Sequence, residues 1–159
     1  MVHQAALDSG LLNTKTIRTI AICLFSRNGG ILVAEGVDAI KGETFYRPLG
    51  GGIEFGEHGR DTVVREIREE LGTEVRPESL SYLGTLENVF IYNGLPGHEI
   101  VLVYDGELAD GSLYTQGAID AQEDDGMPFR ALWKPLVEFG PGAPLYPHGL
   151  KELLAAKPG

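Results

Sequence analysis

Three glutamates stand close together in the chain, at the spacing that brings side chains together on a helix. Glu66, Glu69 and Glu70 occupy positions i, i+3 and i+4, so an α-helix would project all three carboxylates from one side. Carboxylate oxygens are the ligands that hard divalent cations prefer. Because like charges at these spacings repel each other by roughly 0.2–0.5 kcal/mol per pair, the cluster requires either a bound cation or compensating arginines.

The ordinary alternative is a solvent-exposed helix face held by salt bridges. Arg65 and Arg68 alternate with the glutamates, and Arg65 precedes Glu69 by four residues, so ion pairs could offset the repulsion without any metal. Glu57 argues against this alternative. It follows a glycine-rich segment, so a fourth carboxylate and exposed backbone carbonyls converge on the same helix, as a site for a hard cation requires.

A helix packed on a sheet must position these carboxylates. Val63, Ile67 and Leu71 recur every fourth residue, which predicts a helix from about residue 58 to 71 with a buried apolar stripe. Gly72 is the expected C-cap. The glutamates flank this stripe, so we expect the stripe to be buried and the flank to meet solvent.

Runs of β-branched and aromatic residues predict the strands of the sheet. The predicted elements are a hairpin of residues 19–26 and 31–35, a short strand at 44–47, a long hairpin of 81–92 and 99–108, and a strand at 129–133. Residues 48–52 are predicted to be a loop and 147–156 a closing helix, while 110–126 are too polar and glycine-rich to assign. Strands around helices predict an α/β or α+β sandwich with a mixed sheet.

Length and composition limit the class of protein. With 159 residues, 43% of them hydrophobic, the chain fits a single globular domain over residues 1–159, with residues 1–16 as a flexible leader. The 13 basic and 23 acidic residues give a net charge of -10, which argues against a nucleic-acid polymer as partner. Small phosphorylated ligands stay possible, because bound cations can reverse the local field.

The sequence also predicts the state of the single cysteine and the cellular location. Cys23 lies in an apolar run, so it is expected to be buried and unpaired. The chain shows no signal peptide and no stretch long enough to cross a bilayer. These features predict a cytoplasmic protein without a membrane partner.

The segment from Gly51 to Thr73 resembles the Nudix signature. That signature has a glycine, a glutamate six residues later, an Arg-Glu pair, a hydrophobic residue, a Glu-Glu pair and a glycine at fixed separations. The matching residues are Gly51, Glu57, Arg65, Glu66, Ile67, Glu69, Glu70 and Gly72. Thr73 departs from the usual aliphatic residue, and His58-Gly59 from the usual Ser or Thr cap. The resemblance implies an α/β/α sandwich with a mixed sheet and a catalytic loop-helix-loop.

The resemblance also implies a reaction and a set of roles. Nudix enzymes hydrolyse a nucleoside diphosphate linked to another moiety, with Mg²⁺ that Mn²⁺ can replace. By position, the implied metal ligands are Glu69 and Glu70 as the central pair, Glu66 as a further ligand or proton acceptor, Glu57 as the outer carboxylate and the Gly50 carbonyl. Arg65 would orient the glutamates. Glu99 and Glu87 are candidates for a general base outside the signature, although each would otherwise be an ordinary strand or turn carboxylate.

The substrate is the least determined part of the implied function. Arg47 would bind a phosphate or shield the glycine segment, and Tyr92, Phe90 and Trp133 would stack on a base or pack in the core. The chain lacks the Ser-Gln-Pro-Trp-Pro stretch associated with NADH hydrolysis, and Asn88 stands where ADP-ribose hydrolases tend to have a proline.

Dinucleoside polyphosphates and ordinary or oxidised nucleoside triphosphates are therefore the expected small-molecule substrates. Tyr92 favours the dinucleoside polyphosphates, because it stands near the position where hydrolases of these compounds tend to have a tyrosine. The family also implies a homodimer. The alternative is a catalytically silent Nudix-fold domain that binds a nucleotide or a protein, but the retained Glu66, Glu69 and Glu70 argue for an enzyme.

Overall fold

An eight-stranded mixed sheet organises the part of the chain that the computed structural model describes, residues 15–156. The leader expected over residues 1–16 lies almost entirely outside this range. The strands are β1 (Arg18–Leu24), β2 (Ser26–Arg27), β3 (Gly30–Asp38), β4 (Glu43–Gly52), β5 (Ser81–Tyr92), β6 (Leu95–Asp105), β7 (Ala118–Gln122) and β8 (Pro128–Pro135). The two α-helices are α1 (Gly59–Leu71) and α2 (Leu150–Ala155). Neither helix is long and apolar enough to cross a membrane.

The strand order is β5-β6-β1-β4-β3-β8-β7, with β2 paired to β3. β1 and β6 run parallel, and the other neighbours run antiparallel. The predicted mixed sheet is therefore confirmed.

Alternate side chains of β1 enter two separate cores. Ala21 and Cys23 pack on one face with Val63 and Ile67 of α1, whereas Ile22 packs on the other face with Leu150 of α2. This follows from the two-residue period of a strand. Each face of the sheet thus carries one of the two α-helices found in residues 15–156, and Cys23 is fully buried as predicted.

The glycine-rich segment is strand rather than the predicted loop. Gly50 and Gly51 continue β4 and pair with Ile22 and Ala21 of β1. A Cβ atom at Gly50 would collide with the carbonyl oxygen of Ala21. Glycine is required here because two backbones approach closely and because Gly50 has a φ of 153°, which residues with a side chain rarely adopt.

Two further strand predictions need correction. β1 does not pair with β3; β1 ends at Leu24, and the two-residue β2 forms the hairpin with β3. β7 lies inside the segment that the sequence left unassigned, where Ile119 and Ala121 point into the core. Its five residues contain a single β-branched side chain, so the period-two signal was too short to recognise.

Candidate active site

Helix α1 carries the three glutamates and ends as predicted. Gly72 adopts the left-handed conformation with φ 68°, and its N–H donates to the Arg68 carbonyl at 3.0 Å. Glu66 and Glu70 are only 2% and 3% exposed, whereas Glu69 is exposed. The expectation that the whole acidic flank meets solvent was therefore wrong for two of the three residues.

Glycine in β4 makes room for the buried Glu66. A Cβ atom at Gly51 would collide with the Glu66 carboxylate. The bare strand backbone and the long acidic side chain therefore occupy complementary space. Gly51 and Glu66 of the signature thus pack directly against each other.

Arg65 links the carboxylates to one another and to the strand. Its guanidinium donates to both oxygens of Glu57 at 2.8 and 3.0 Å, to Glu66 Oε1 at 3.0 Å and to the Gly52 carbonyl at 3.0 Å. It also lies 3.5 Å from Glu69 Oε2. Charge-assisted, bidentate pairs of this kind both stabilise the side chains and fix their orientation.

Glu57 is committed to this network. The Arg65 guanidinium, with a further hydrogen bond from the Thr62 hydroxyl at 2.6 Å, lowers the pKa of Glu57 to about 2. Glu57 in turn raises the pKa of Arg65. Because both Glu57 oxygens already accept hydrogen bonds, the geometry favours Glu57 as the residue that anchors Arg65; its role as an outer metal ligand stays a prediction.

Glu70 has the opposite environment. Neither of its carboxylate oxygens has a hydrogen-bond partner within residues 15–156. Burial, together with the neighbouring charges of Glu66, Glu123 and Asp124, raises the pKa of Glu70 to about 8. A buried carboxylate that accepts no hydrogen bond is costly, and a bound cation would offset that cost.

Asp124 completes the acidic group, and sequence reasoning missed it. Carboxylate oxygens of Glu66, Glu69 and Asp124 lie within 4.8 Å of one another. Burial and a hydrogen bond with Asp124 raise the pKa of Glu69. Asp124 lies in the connection between β7 and β8, where the acidic run of residues 123–125 was the available signal.

The two predicted general bases, Glu99 and Glu87, have basic partners in the structure. Glu99 is 1% exposed and lies 3.5 Å from Arg47 Nη2 and 4.0 Å from Arg18 Nη1. Glu87 is exposed and lies 3.2 Å from His98 Nε2. Neither belongs to the group formed by Glu66, Glu69 and Asp124.

A cavity of about 660 Å³ opens between the β3–β4 and β5–β6 hairpins. Arg47 and Tyr92, both predicted to bind substrate, line it. Aromatic rings form much of its wall, and these belong to Phe45, Phe90, Tyr92 and Tyr146. Trp133, by contrast, stacks on Tyr114 at 5.1 Å and packs in the core.

The tips of the two hairpins are joined beside this cavity. Asp38 accepts hydrogen bonds from the backbone N–H groups of Ile40, Lys41 and Asn93. The Asn93 side chain accepts in return from the Ala39 N–H at 2.9 Å. The backbone hydrogen bonds to Asp38, led by that of Lys41, hold the pKa of its carboxyl below the usual value.

Comparison with known proteins identifies the family. The model of the NUDIX domain matches residues 15–154. The chain belongs to the Nudix hydrolase family. Its signature is therefore the Nudix box, and α1 is the Nudix helix.

Relatives of this Nudix protein include longer proteins. The NAD-capped RNA hydrolases NudC of two Pseudomonas aeruginosa strains are 34% identical to it over 104 residues, which are 65% of this chain. The matched part is 32% of those proteins. The chain thus spans about a third of the length of the curated relatives it matches.

Solved Nudix structures share the fold. The MutT NUDIX hydrolase from Burkholderia pseudomallei superimposes with a TM-score of 0.61 at 20% identity, over 88% of this chain and 97% of that one. A NUDIX hydrolase from Nitrosomonas europaea gives a TM-score of 0.52 at 16% identity, over 77% and 75%. The predicted Nudix-type sandwich is confirmed.

Proposed function

We propose that this Nudix protein hydrolyses a nucleoside diphosphate linked to another moiety, in a reaction that requires Mg²⁺. One observation carries the proposal: the oxygens of Glu66, Glu69 and Asp124 lie within 4.8 Å of one another, and the nearby buried Glu70 accepts no hydrogen bond from the described residues. An anionic, all-oxygen group of this kind suits Mg²⁺, and Mn²⁺ would replace it.

In this proposal Glu66, Glu69 and Glu70 hold the metal, with the Gly50 carbonyl as a further ligand. Bound Mg²⁺ supplies charge neutralisation at the phosphate oxygens and lowers the pKa of a coordinated water. Arg65 keeps Glu66 and Glu69 in place through the hydrogen bonds described above.

We assign the proton acceptor for the attacking water to Asp124. Glu99 and Glu87, the bases that the sequence suggested, stay predictions; Glu99 lies 3.5 Å from Arg47 Nη2. Asp124 lies beside Glu66 and Glu69, so its carboxylate is within reach of a water at the acidic group. A general base must first satisfy this geometric condition.

Replacing Asp124 by asparagine tests the assignment. We expect kcat to fall by about 10²–10⁴-fold, the usual contribution of a general base, with little change in KM. Steady-state kinetics would measure both constants. Asp125→Asn is the matched control, because Asp125 is the next residue and its Oδ1 accepts only from the Met127 N–H. Equal rates for the two variants would contradict the role of Asp124.

The aromatic cavity supports a nucleotide substrate. Phe90, Tyr92 and Arg47 line this cavity, and aromatic rings of this kind would stack on a base. Dinucleoside polyphosphates and ordinary or oxidised nucleoside triphosphates are the proposed substrates. The names of the Pseudomonas relatives add an NAD-linked compound to those that must be tested.

The retained acidic group favours this enzyme over a silent binding domain, which would have no need for a buried Glu70 whose oxygens accept no hydrogen bond within residues 15–156. A single domain over residues 1–159, a cytoplasmic location and a homodimer stay predictions.

A panel of substrates tests the proposed function directly. The purified protein is incubated with Mg²⁺ and, separately, with dinucleoside polyphosphates, ordinary and oxidised nucleoside triphosphates, ADP-ribose and NAD⁺, and the products are separated by chromatography. We expect cleavage to a nucleoside monophosphate that EDTA abolishes and Mn²⁺ restores. Nucleotide binding without turnover of any compound would favour the silent domain.

A further inference from the structure

The hydroxyl group of Thr62, a residue of helix α1, lies between the helix backbone and the acidic network. Thr62 is completely buried, with 0% of its surface exposed. Its Oγ1 lies 2.6 Å from Glu57 Oε1 and 3.3 Å from the carbonyl oxygen of His58. A hydroxyl group has a single hydrogen to donate, so these two acceptors compete for it.

The carboxylate of Glu57 is the stronger of the two acceptors. A threonine inside a helix can donate to the carbonyl four residues earlier, which here is that of His58. A hydrogen bond to an ionised carboxylate, however, is shorter and about twice as strong as one between neutral groups, and the two distances show the same preference. Thr62 therefore donates to Glu57, outside the helix, rather than to its own helix backbone.

Three residues donate hydrogen bonds to the Glu57 carboxylate in the described part of the chain. Arg65 reaches both oxygens, at 2.8 and 3.0 Å, and the Glu54 N–H reaches Oε1 at 3.2 Å. Glu54 precedes the helix, and the Arg65 side chain is long and 22% exposed. Thr62 is short, β-branched and enclosed, so its hydroxyl has few positions available. Among the three donors, Thr62 thus fixes Oε1 most closely relative to the helix.

Arg65 passes the orientation of Glu57 on to the acidic group. Its guanidinium is planar and rigid, so the two hydrogen bonds to Glu57 set the direction of all its N–H groups. Nη1 of this group lies 3.0 Å from Glu66 Oε1 and 3.5 Å from Glu69 Oε2. A rotation of the Glu57 carboxylate would therefore tilt Arg65 and move the carboxylates that are proposed to hold Mg²⁺.

We propose that Thr62 is a positioning residue of the Nudix reaction, whose hydroxyl orients Glu57. Glu57 in turn orients Arg65, and Arg65 orients Glu66. This inference rests on the proposed Mg²⁺-dependent function and adds to it a residue that touches neither metal nor substrate. In the contrasting arrangement the hydroxyl serves only the His58 carbonyl, and its loss would leave Arg65 and metal binding unchanged.

The Arg65 Nε–H resonance, observed by ¹⁵N NMR in EDTA, tests the proposal without metal or turnover. In the wild-type protein this group donates to Glu57 Oε2, so it should exchange slowly with solvent. Thr62→Val removes the hydroxyl and keeps nearly the same shape; it should shift the resonance and speed its exchange by about tenfold, because the bond opens more often. Thr62→Ser keeps the hydroxyl and should resemble the wild type. An unchanged resonance in Thr62→Val, or equal changes in both variants, would overturn the proposal.

Metal binding and turnover show whether this orientation reaches the reaction. Mn²⁺ binding, measured by electron paramagnetic resonance, should weaken about tenfold in Thr62→Val, the lower end of the range for residues behind metal ligands. The value of kcat should fall by a similar factor with little change in KM, and Thr62→Ser should restore both properties. Thr115→Val is the matched control, because Thr115 is exposed and its hydroxyl donates to the Ser112 carbonyl at 2.8 Å.

Two outcomes separate this proposal from the proposed reaction. Wild-type Mn²⁺ affinity in Thr62→Val would overturn the role of Thr62 even if the enzyme is active. Weak Mn²⁺ binding in Thr62→Val that Thr62→Ser restores, in a protein that turns over no nucleotide, would support the role of Thr62 and refute only the reaction.

Discussion

Glu70→Gln is expected to lower kcat by about a thousandfold or more, while the fold is retained. The amide has nearly the same shape as the carboxylate but lacks the charge that would hold a cation, and preorganised charge at a reacting phosphate is the largest single catalytic contribution. Steady-state hydrolysis of the best substrate would measure the loss. Glu78→Gln, at an exposed position after α1, should retain full activity, and an active Glu70→Gln protein would refute the assigned role.

The same variant should also change how stability depends on pH in EDTA. The pKa of Glu70 is raised from 4.5 to about 8, so the folded protein keeps a proton that the unfolded chain releases. The stabilising effect of this proton is fully present below about pH 4.5 and is lost as the pH rises to about 8. Urea unfolding between these values should show a decline in wild-type stability that is smaller in Glu70→Gln. Parallel profiles would show that Glu70 is not held in its neutral form.

Gly50→Ala should cause the largest loss of stability, about 3 kcal/mol or more. The new Cβ would collide with the Ala21 carbonyl oxygen and the Ile22 Cα of β1. These are backbone atoms, so no rotamer change can relieve the contact, and β1 and β4 must separate. The free energy of unfolding in urea would measure the effect. Gly117→Ala is the control, because a Cβ there meets open space; equal stabilities of the two variants would show that the strands tolerate the separation.

Local patterns predicted the elements whose signal is strong over many residues. The apolar stripe of Val63 and Ile67 predicted α1, and Gly72 predicted its end, because both follow from helix geometry alone. The glycines at 50–52 were misread as a loop, since a strand that needs bare backbone and a loop that needs free dihedrals use the same residue. Their role depends on the approach of β1, which is a tertiary contact.

Residues of the site were predictable where they lie close together in the chain. Glu66, Glu69 and Glu70 share one helix, so their spacing was informative. Asp124 reaches the same group from the connection between β7 and β8, and Arg47 meets Glu99 across 52 residues of sequence. Such contacts form only in the folded sheet, so no periodic pattern in the local sequence predicts them.

The rings of Phe45 and Phe90 lie against Gly36 and Gly97, and this has a thermodynamic consequence. Each ring is thus packed against glycine backbone before any ligand arrives. A side chain that becomes immobilised on binding costs about 0.5–1.5 kcal/mol of conformational entropy, and these two rings avoid that loss. A flat ligand therefore meets a stacking surface that is already ordered, and its affinity reflects contact and desolvation rather than the ordering of the wall.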